Sequence, residues 1–205
     1  MAHIPDGVLS APVLIGGGVI AAAGVALALR RLDDRMIPRV AMLSAAVFSV
    51  SLISVPVGLT SIHVLLSGLL GIMLGTGAFA AVLVILLLQA LLFGFGGLTT
   101  LGVNTVNIAL PGVFCAMIFG PALRRTTRSV ARAVLAGTIG ALSVLGSAVL
   151  VALSLALSSP EYTPVATVLM ATYLPLAFGE AIVTAGIVSF LARVQPETLQ
   201  PASPS

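Results

Sequence analysis

APVLIGGGVIAAAGVALAL, residues 11–29, runs without a break into RRLDDRMIPR, residues 30–39. The first stretch is close to the ~20 apolar residues that cross a ~30 Å hydrocarbon core. The second carries Arg30, Arg31, Arg35 and Arg39, whereas Met1–Ser10 ahead of the apolar run holds no arginine or lysine. A cleaved secretory signal has its positive charge before the apolar stretch. The reverse order predicts a retained helix whose amino end lies outside and whose arginines stay in the cytoplasm.

The rest of the composition agrees. The 205 residues are 59% hydrophobic and 7% charged, with a mean hydropathy of +1.22, outside the range of soluble domains. Lysine is absent, and the nine arginines are too localised for a nucleic-acid surface. The single cysteine, Cys115, sits in an apolar run, where it reads as a small buried hydrophobe and excludes an internal disulfide.

Further apolar runs predict spans at about 40–55, 64–77, 80–93, 105–123, 133–157 and 165–191. The breaks between them are Pro56–Gly58, a short turn at Thr76–Gly77, the glycine-rich segment Gly94–Asn104, the arginine cluster Arg124–Arg132 and the Pro-rich turn Ser158–Pro164. Gly68, Gly71 and Gly75 in the third span have the spacing that lets helices approach closely. Gly94–Asn104 is too polar for lipid and predicts a structured outer loop or re-entrant segment. A Pro/Ser-rich tail from 194 to 205 predicts disorder. The expected fold is all-α, a polytopic membrane protein of about seven transmembrane helices, amino end outside and carboxy end cytoplasmic, forming one domain over 1–193. Seven spans place all nine arginines on the cytoplasmic side.

That topology puts both histidines, His3 and His63, at the outer face, together with Asp6, Gly94–Asn104 and Glu161. A terminal amine, the next amide nitrogen and an imidazole can close adjoining rings on one small cation, so His3 near the amino terminus reads as half of a chelate. Asp6 either builds a turn or helix cap, or orients a histidine. Gln89, Asn104 and Asn107 need hydrogen-bond partners within the bundle. Glu180, an acid inside the last span, is either the same kind of link or part of an ion path. A Walker phosphate loop needs a lysine, and one cysteine with two histidines builds no closed zinc site of the usual kind. No serine has a histidine within the bundle to activate it, so a transport or receptor function is favoured over an enzyme.

His3-Ile4-Pro5-Asp6-Gly7, Gly58-Leu59-Thr60-Ser61-Ile62-His63, Gln89–Phe93, Gly96-Gly97-Leu98-Thr99, Gly102-Val103-Asn104 and Asn107 resemble the substrate-binding membrane component of cobalt/nickel energy-coupling-factor transporters. The likeness extends from His3 to about Thr198. It implies a multi-pass protein of a prokaryotic cytoplasmic membrane that captures Ni(II) or Co(II) as transported substrate, with no prosthetic group. It also implies an ATPase pair, a transmembrane coupling protein and often a small accessory membrane subunit as partners. In that family the metal is held by a planar set of nitrogens: the terminal amine, the following amide, the histidine ring and a second histidine, which His63 matches. Asp6, Ser61, Gln89, Thr99, Asn104 and Asn107 are then the residues behind the ligands.

Family members usually begin Met-His, and here Ala2 intervenes. Removal of Met1 restores the pattern, with the Ala2 amine, the His3 amide and ring, and His63. If Met1 stays, its amine, two amides and the His3 ring fill four planar positions and His63 is spare. Planar nitrogen ligands point to Ni(II) or Cu(II), and Pro5-Asp6 resembles the nickel branch more than the cobalt branch. Two rival readings differ in mechanism. A vitamin-binding component needs aromatic walls, but the chain has no tryptophan and two tyrosines. A stand-alone permease needs charge along its path, and only Glu180 qualifies.

Overall fold

A computed structural model describes residues 3–34, 36–52, 54–57 and 60–199, excluding the side chains of 54–57, 60–63, 166, 167 and 170. Among the described residues are seven α-helices: α1 (Ala11–Arg31), α2 (Met36–Ser51), α3 (Ser67–Leu74), α4 (Ala78–Phe93), α5 (Leu101–Arg125), α6 (Ser129–Ser158) and α7 (Thr163–Val194). Between α2 and α3 lies a short antiparallel hairpin, β1 (Ser54–Val57) and β2 (Thr60–His63), in which Ser54 pairs with His63. The bundle has an apolar interior and, unlike a water-soluble one, an apolar surface as well. Large apolar side chains such as Ile15, Met117 and Phe178 are 67%, 67% and 71% exposed, while Gln89, Asn104 and Glu180 are buried. Such a surface suits lipid, and the buried polar groups are the ones that must be satisfied internally.

Basic residues collect at one end. Arg30 and Arg31 close α1, Arg124 and Arg125 close α5, and Arg193 lies in the last turn of α7. A cavity of about 320 Å³ at that end is lined by Arg31, Leu32, Gly75 and Arg124, among others. The expected clustering of arginines on one side of the bundle is thus present in the packing.

The third span departs from expectation. A run over 64–77 would nearly cross the bilayer, but α3 holds only the eight residues Ser67–Leu74, about 12 Å at 1.5 Å per residue. It starts at mid-depth, beside Gly112 near the middle of α5, and runs parallel to α5 toward the arginine end. Gly75 then takes φ +54° and ψ −127°, a conformation open to glycine, and the 3-10 turn Gly75–Gly77 reverses the chain into α4. The first part of the expected span is therefore not helical: residues 64–66 follow the hairpin without helix, and Leu66 turns through the left-handed region into α3.

Close approach requires glycine where α3 meets its neighbours. A Cβ on Gly68 would lie 2.9 Å from the Gly140 Cα of α6, and one on Gly71 would lie 2.6 Å from the Gly112 carbonyl carbon of α5. Helix association in lipid rests on such packing rather than on hydrophobic burial. Gly71→Leu is expected to destabilise the fold by about 1–3 kcal/mol, the usual range for overpacking. A thermal unfolding curve in detergent should show it as a drop of roughly 2–10 °C; an unchanged midpoint would mean that α3 is not clamped here.

Smaller differences have local causes. α2 ends at Ser51 rather than near 55, because β1 begins at Ser54. α5 begins at Leu101, four residues before the expected 105, so Asn104 belongs to its first turn. Residues 195–199 also have more structure than their composition predicts, while the rest of the tail, 200–205, lies outside the described residues. Pro196–Leu199 forms a 3-10 turn with Leu199 buried, and Arg39 donates to the Thr198 carbonyl. An apolar side chain with a slot to fill and a guanidinium that donates to a backbone carbonyl order a segment that Pro, Glu and Gln alone would not.

Candidate functional site

The amino-terminal segment is threaded into the bundle rather than lying on it. Ile4 is 3% exposed and Leu9 is 7% exposed, both packed in a small cluster with Val103 of α5 and with Val151 and Leu155 of α6. An extended segment buried among helices brings its own unpaired amides, each needing a partner. Asn104 supplies them for Ile4: its Oδ1 accepts the Ile4 N–H at 3.2 Å, and its Nδ2 donates to the Ile4 carbonyl at 3.1 Å. Thr100, fully buried, donates its hydroxyl to the same carbonyl at 2.7 Å. The peptide that follows His3 is thereby held on both sides. Ser10, at the foot of the segment, is tied to α6 through its N–H and the Ser158 hydroxyl, 3.1 Å.

Asp6 stands in a turn with Gly7, one of the alternatives left by the sequence, and its side chain does something further. It does not cap α1, whose N-cap is Ser10. Its carboxylate instead accepts the hydroxyl of Thr99, the Thr99 N–H at 2.9 Å and the Leu98 N–H at 3.2 Å. The Thr99 hydroxyl, followed by these amides, holds the Asp6 carboxyl below its ordinary value against the opposing effect of burial. A group held ionised in this way contributes its link above its ordinary pKa and loses it only as pH falls through the lowered one.

Two glycines make room for this crossing. Gly96 has φ +80°, and a Cβ there would lie 3.2 Å from the His3 Cβ; a Cβ on Gly97 would lie 2.7 Å from the Asp6 backbone nitrogen. The polar run Gly94–Thr100 is thus a cradle for residues 3–6. His3 stacks on Phe95 of the cradle, ring centroids 6.4 Å apart and planes 15° apart, and Phe95 stacks in turn on Phe93 at 5.9 Å.

Of the residues singled out in the sequence, His3, Asp6, Thr99 and Asn104 are brought together here. Gln89 is not part of that cluster: its Nε2 donates to the Ser51 hydroxyl at 2.6 Å and ties α4 to α2. Asn107 faces Ser154 of α6, whose hydroxyl is 3.5 Å from its Oδ1. His63 has its backbone at the end of β2; its side chain and that of Ser61, together with Met1 and Ala2, lie outside the described residues. Sequence reasoning missed Thr100, Phe95 and the anchoring role of Ile4. Thr100 and Phe95 stand within the polar run already marked as structured, so their signal was present, whereas nothing in Ile4 itself distinguishes it from a lipid-facing residue.

Residues 3–198 match the family described as "Cobalt uptake substrate-specific transmembrane region". The chain is similar to the "Fused nickel transport protein NikMN" of Rhodobacter capsulatus, 35% identical over 97% of this chain and 64% of that longer protein. It is likewise similar to the "Cobalt transport protein CbiM" of Sorangium cellulosum, 33% identical over 96% of this chain and 94% of the relative. Among solved structures, the "Crystal Structure of an transition metal transporter" superposes with a TM-score of 0.76 at 28% identity, covering 94% of this chain and 93% of that one. By these matches the chain belongs to the CbiM family of substrate-specific membrane components for cobalt and nickel uptake.

Proposed function

We infer that the chain captures nickel, with cobalt as the close alternative, at the outer face of a prokaryotic cytoplasmic membrane. In this reading it hands the ion inward as the substrate-specific subunit of an energy-coupling-factor transporter. The amino end is outside and the arginine end cytoplasmic. The ligands are the Ala2 amine, exposed by removal of Met1, the His3 amide nitrogen, the His3 ring and the His63 ring. The observation that carries the reading is the grip of Asn104 and Thr100 on Ile4, which prepays the ordering of the peptide next to His3 and so favours a planar, backbone-based chelate. Asp6 and Thr99 fix the cradle, and Phe95 sets the plane of the His3 ring.

ATP hydrolysis belongs to partner ATPase subunits, and a transmembrane coupling protein and a small accessory membrane subunit complete the assembly. The arginine-bearing loops are its docking surface. Because the amide and imidazole must lose protons to bind, affinity falls as pH is lowered.

Nickel titration of the purified chain, its amino terminus defined by intact mass, tests the reading. The chain starting at Ala2 is expected to bind one nickel tightly and His63→Ala to bind at least about 10-fold more weakly, since even residues behind a metal ligand are worth that much. Equal affinity in His63→Ala would remove His63 from the site.

A further inference from the structure

Glu180 lies near the middle of α7, 17 positions from Thr163 and 14 from Val194, and is 1% exposed. A carboxylate at that depth needs a strong partner. It finds one in the backbone: Oε1 accepts the Leu66 N–H at 2.8 Å and also the Leu65 N–H, while Oε2 lies 3.1 Å from the Leu66 nitrogen.

These are amides at the amino end of α3, where a helix leaves donors without intrahelical partners. In most spans those donors reach headgroups or water. Here α3 begins at mid-depth, so an acceptor has to come from within the protein. A negative group at this spot also opposes the positive end of the helix dipole. Leu66, the N-cap, has φ +50°, a left-handed conformation that leucine seldom takes, and its N–H is the one that both carboxylate oxygens meet. On the opposite side, α6 closes in with Gly140, where a Cβ would lie 2.9 Å from the Glu180 carbonyl. What meets the carboxylate is thus main-chain N–H, from Leu65 and Leu66, while α6 packs Gly140 against the Glu180 backbone.

The pinned segment is the one that carries His63. Only Val64 separates β2, which ends at His63, from Leu65, and two residues of extended chain reach no more than about 7 Å. The hairpin partner Ser54 holds His63 on one side, and Glu180 holds the chain just after it. We propose that Glu180 is the positioning residue for the metal ligand His63, fixing the depth and register of β2 from the last helix without touching the ion. The inference rests on the reading of His63 as a ligand. It also gives Glu180 a use other than an ion path: a permeating cation would have to displace both amides from the carboxylate.

The test uses the full chain starting at Ala2, in detergent, with Ni(II) as the probe, comparing parent, Glu180→Gln, Glu180→Ala and His63→Ala. Glu180→Gln keeps the size and one acceptor oxygen, so it guards against simple loss of the fold, which size-exclusion profiles monitor. Expected are a 10- to 100-fold weaker nickel affinity for Glu180→Ala, a smaller loss for Glu180→Gln, and, at saturating nickel, a ligand-field absorption band that moves from the parent position toward that of His63→Ala. Loss of affinity with the parent band retained would make Glu180 a purely structural cap and overturn the proposal, as would parent-like affinity in both variants. If His63→Ala binds nickel as the parent does, with the same band, the ligand reading itself fails and takes this inference with it.

Discussion

A chain carrying two extra residues ahead of Ala2 is expected to bind nickel at least about 100-fold more weakly than the chain that starts at Ala2. Loss of a group merely supporting a metal ligand already costs 10- to 100-fold, and here a ligand itself is moved. The Ile4 peptide is fixed by Asn104 and Thr100, so the His3 amide has a set place and only a nitrogen one residue upstream can close the five-membered ring with it. In an extended chain that nitrogen is an amide, neutral and a poor ligand until it loses a proton that no anchored amine helps to remove. Equilibrium dialysis followed by elemental analysis reads the outcome directly. The form retaining Met1 gives a sharper contrast: with amine, two amides and the His3 ring available, it is expected to bind nickel with no dependence on His63. Equal binding by the two-residue extension would show that the amine is not a ligand.

The helices that carry this arrangement were legible wherever an apolar run ends in arginine. α1, α5 and α7 each finish within a few residues of Arg31, Arg125 or Arg193, because guanidinium groups mark where the hydrocarbon stops. α3 was not legible in this way. Val64-Leu65-Leu66 ahead of it is as apolar as the helix proper, and the break depends on Glu180, more than a hundred residues away. No local signal encodes a cap supplied from another span. Asp6 shows the same limit at shorter reach: its sequence neighbours suggest a turn or a helix cap, and its partners, Leu98 and Thr99, come from the far side of four helices. What the sequence did reveal was which polar residues had to be explained. Gln89, Asn104, Asn107 and Glu180 are all buried; Asn104 and Glu180 are met on both sides by another element, whereas, among the described residues, Gln89 and Asn107 each engage through one atom only.

Those engagements also bear on mechanism. A stand-alone permease needs charge left open along a path, yet the one acid in mid-span has its oxygens committed to the amides at the start of α3. In the proposed function, an interior acid used to fix the start of α3 serves to hold a substrate at one end. Moving the substrate then calls for work supplied from outside the chain, which is what a coupling protein and ATPases provide in the proposed function.

Asn104→Leu is the second substitution expected to have a large effect, on the order of 10- to 100-fold in nickel affinity. Leucine is close in size and suits the apolar surroundings of α5, so the helix should persist. The loss falls on Ile4, whose N–H, 3% exposed with its residue, has Asn104 Oδ1 as its partner at 3.2 Å. A buried donor left unpaired costs about 1–3 kcal/mol, and the segment can avoid that cost by leaving its groove. The population with His3 in place then drops, and apparent affinity drops with it by the same factor. Thr100→Val is expected to cost less, because the Ile4 carbonyl keeps Asn104 Nδ2 at 3.1 Å. Asn104→Asp separates the two halves of the contact: it keeps an acceptor for the N–H and removes the donor to the carbonyl, so it should fall between the two. Amide hydrogen exchange over residues 4–9 should rise in the same order as nickel affinity falls. An Asn104→Leu protein that binds nickel like the parent, with residues 4–9 still protected, would show that Ile4 is held by packing against Val103 and Leu155 alone and that the hydrogen-bonded clamp has no part in capture.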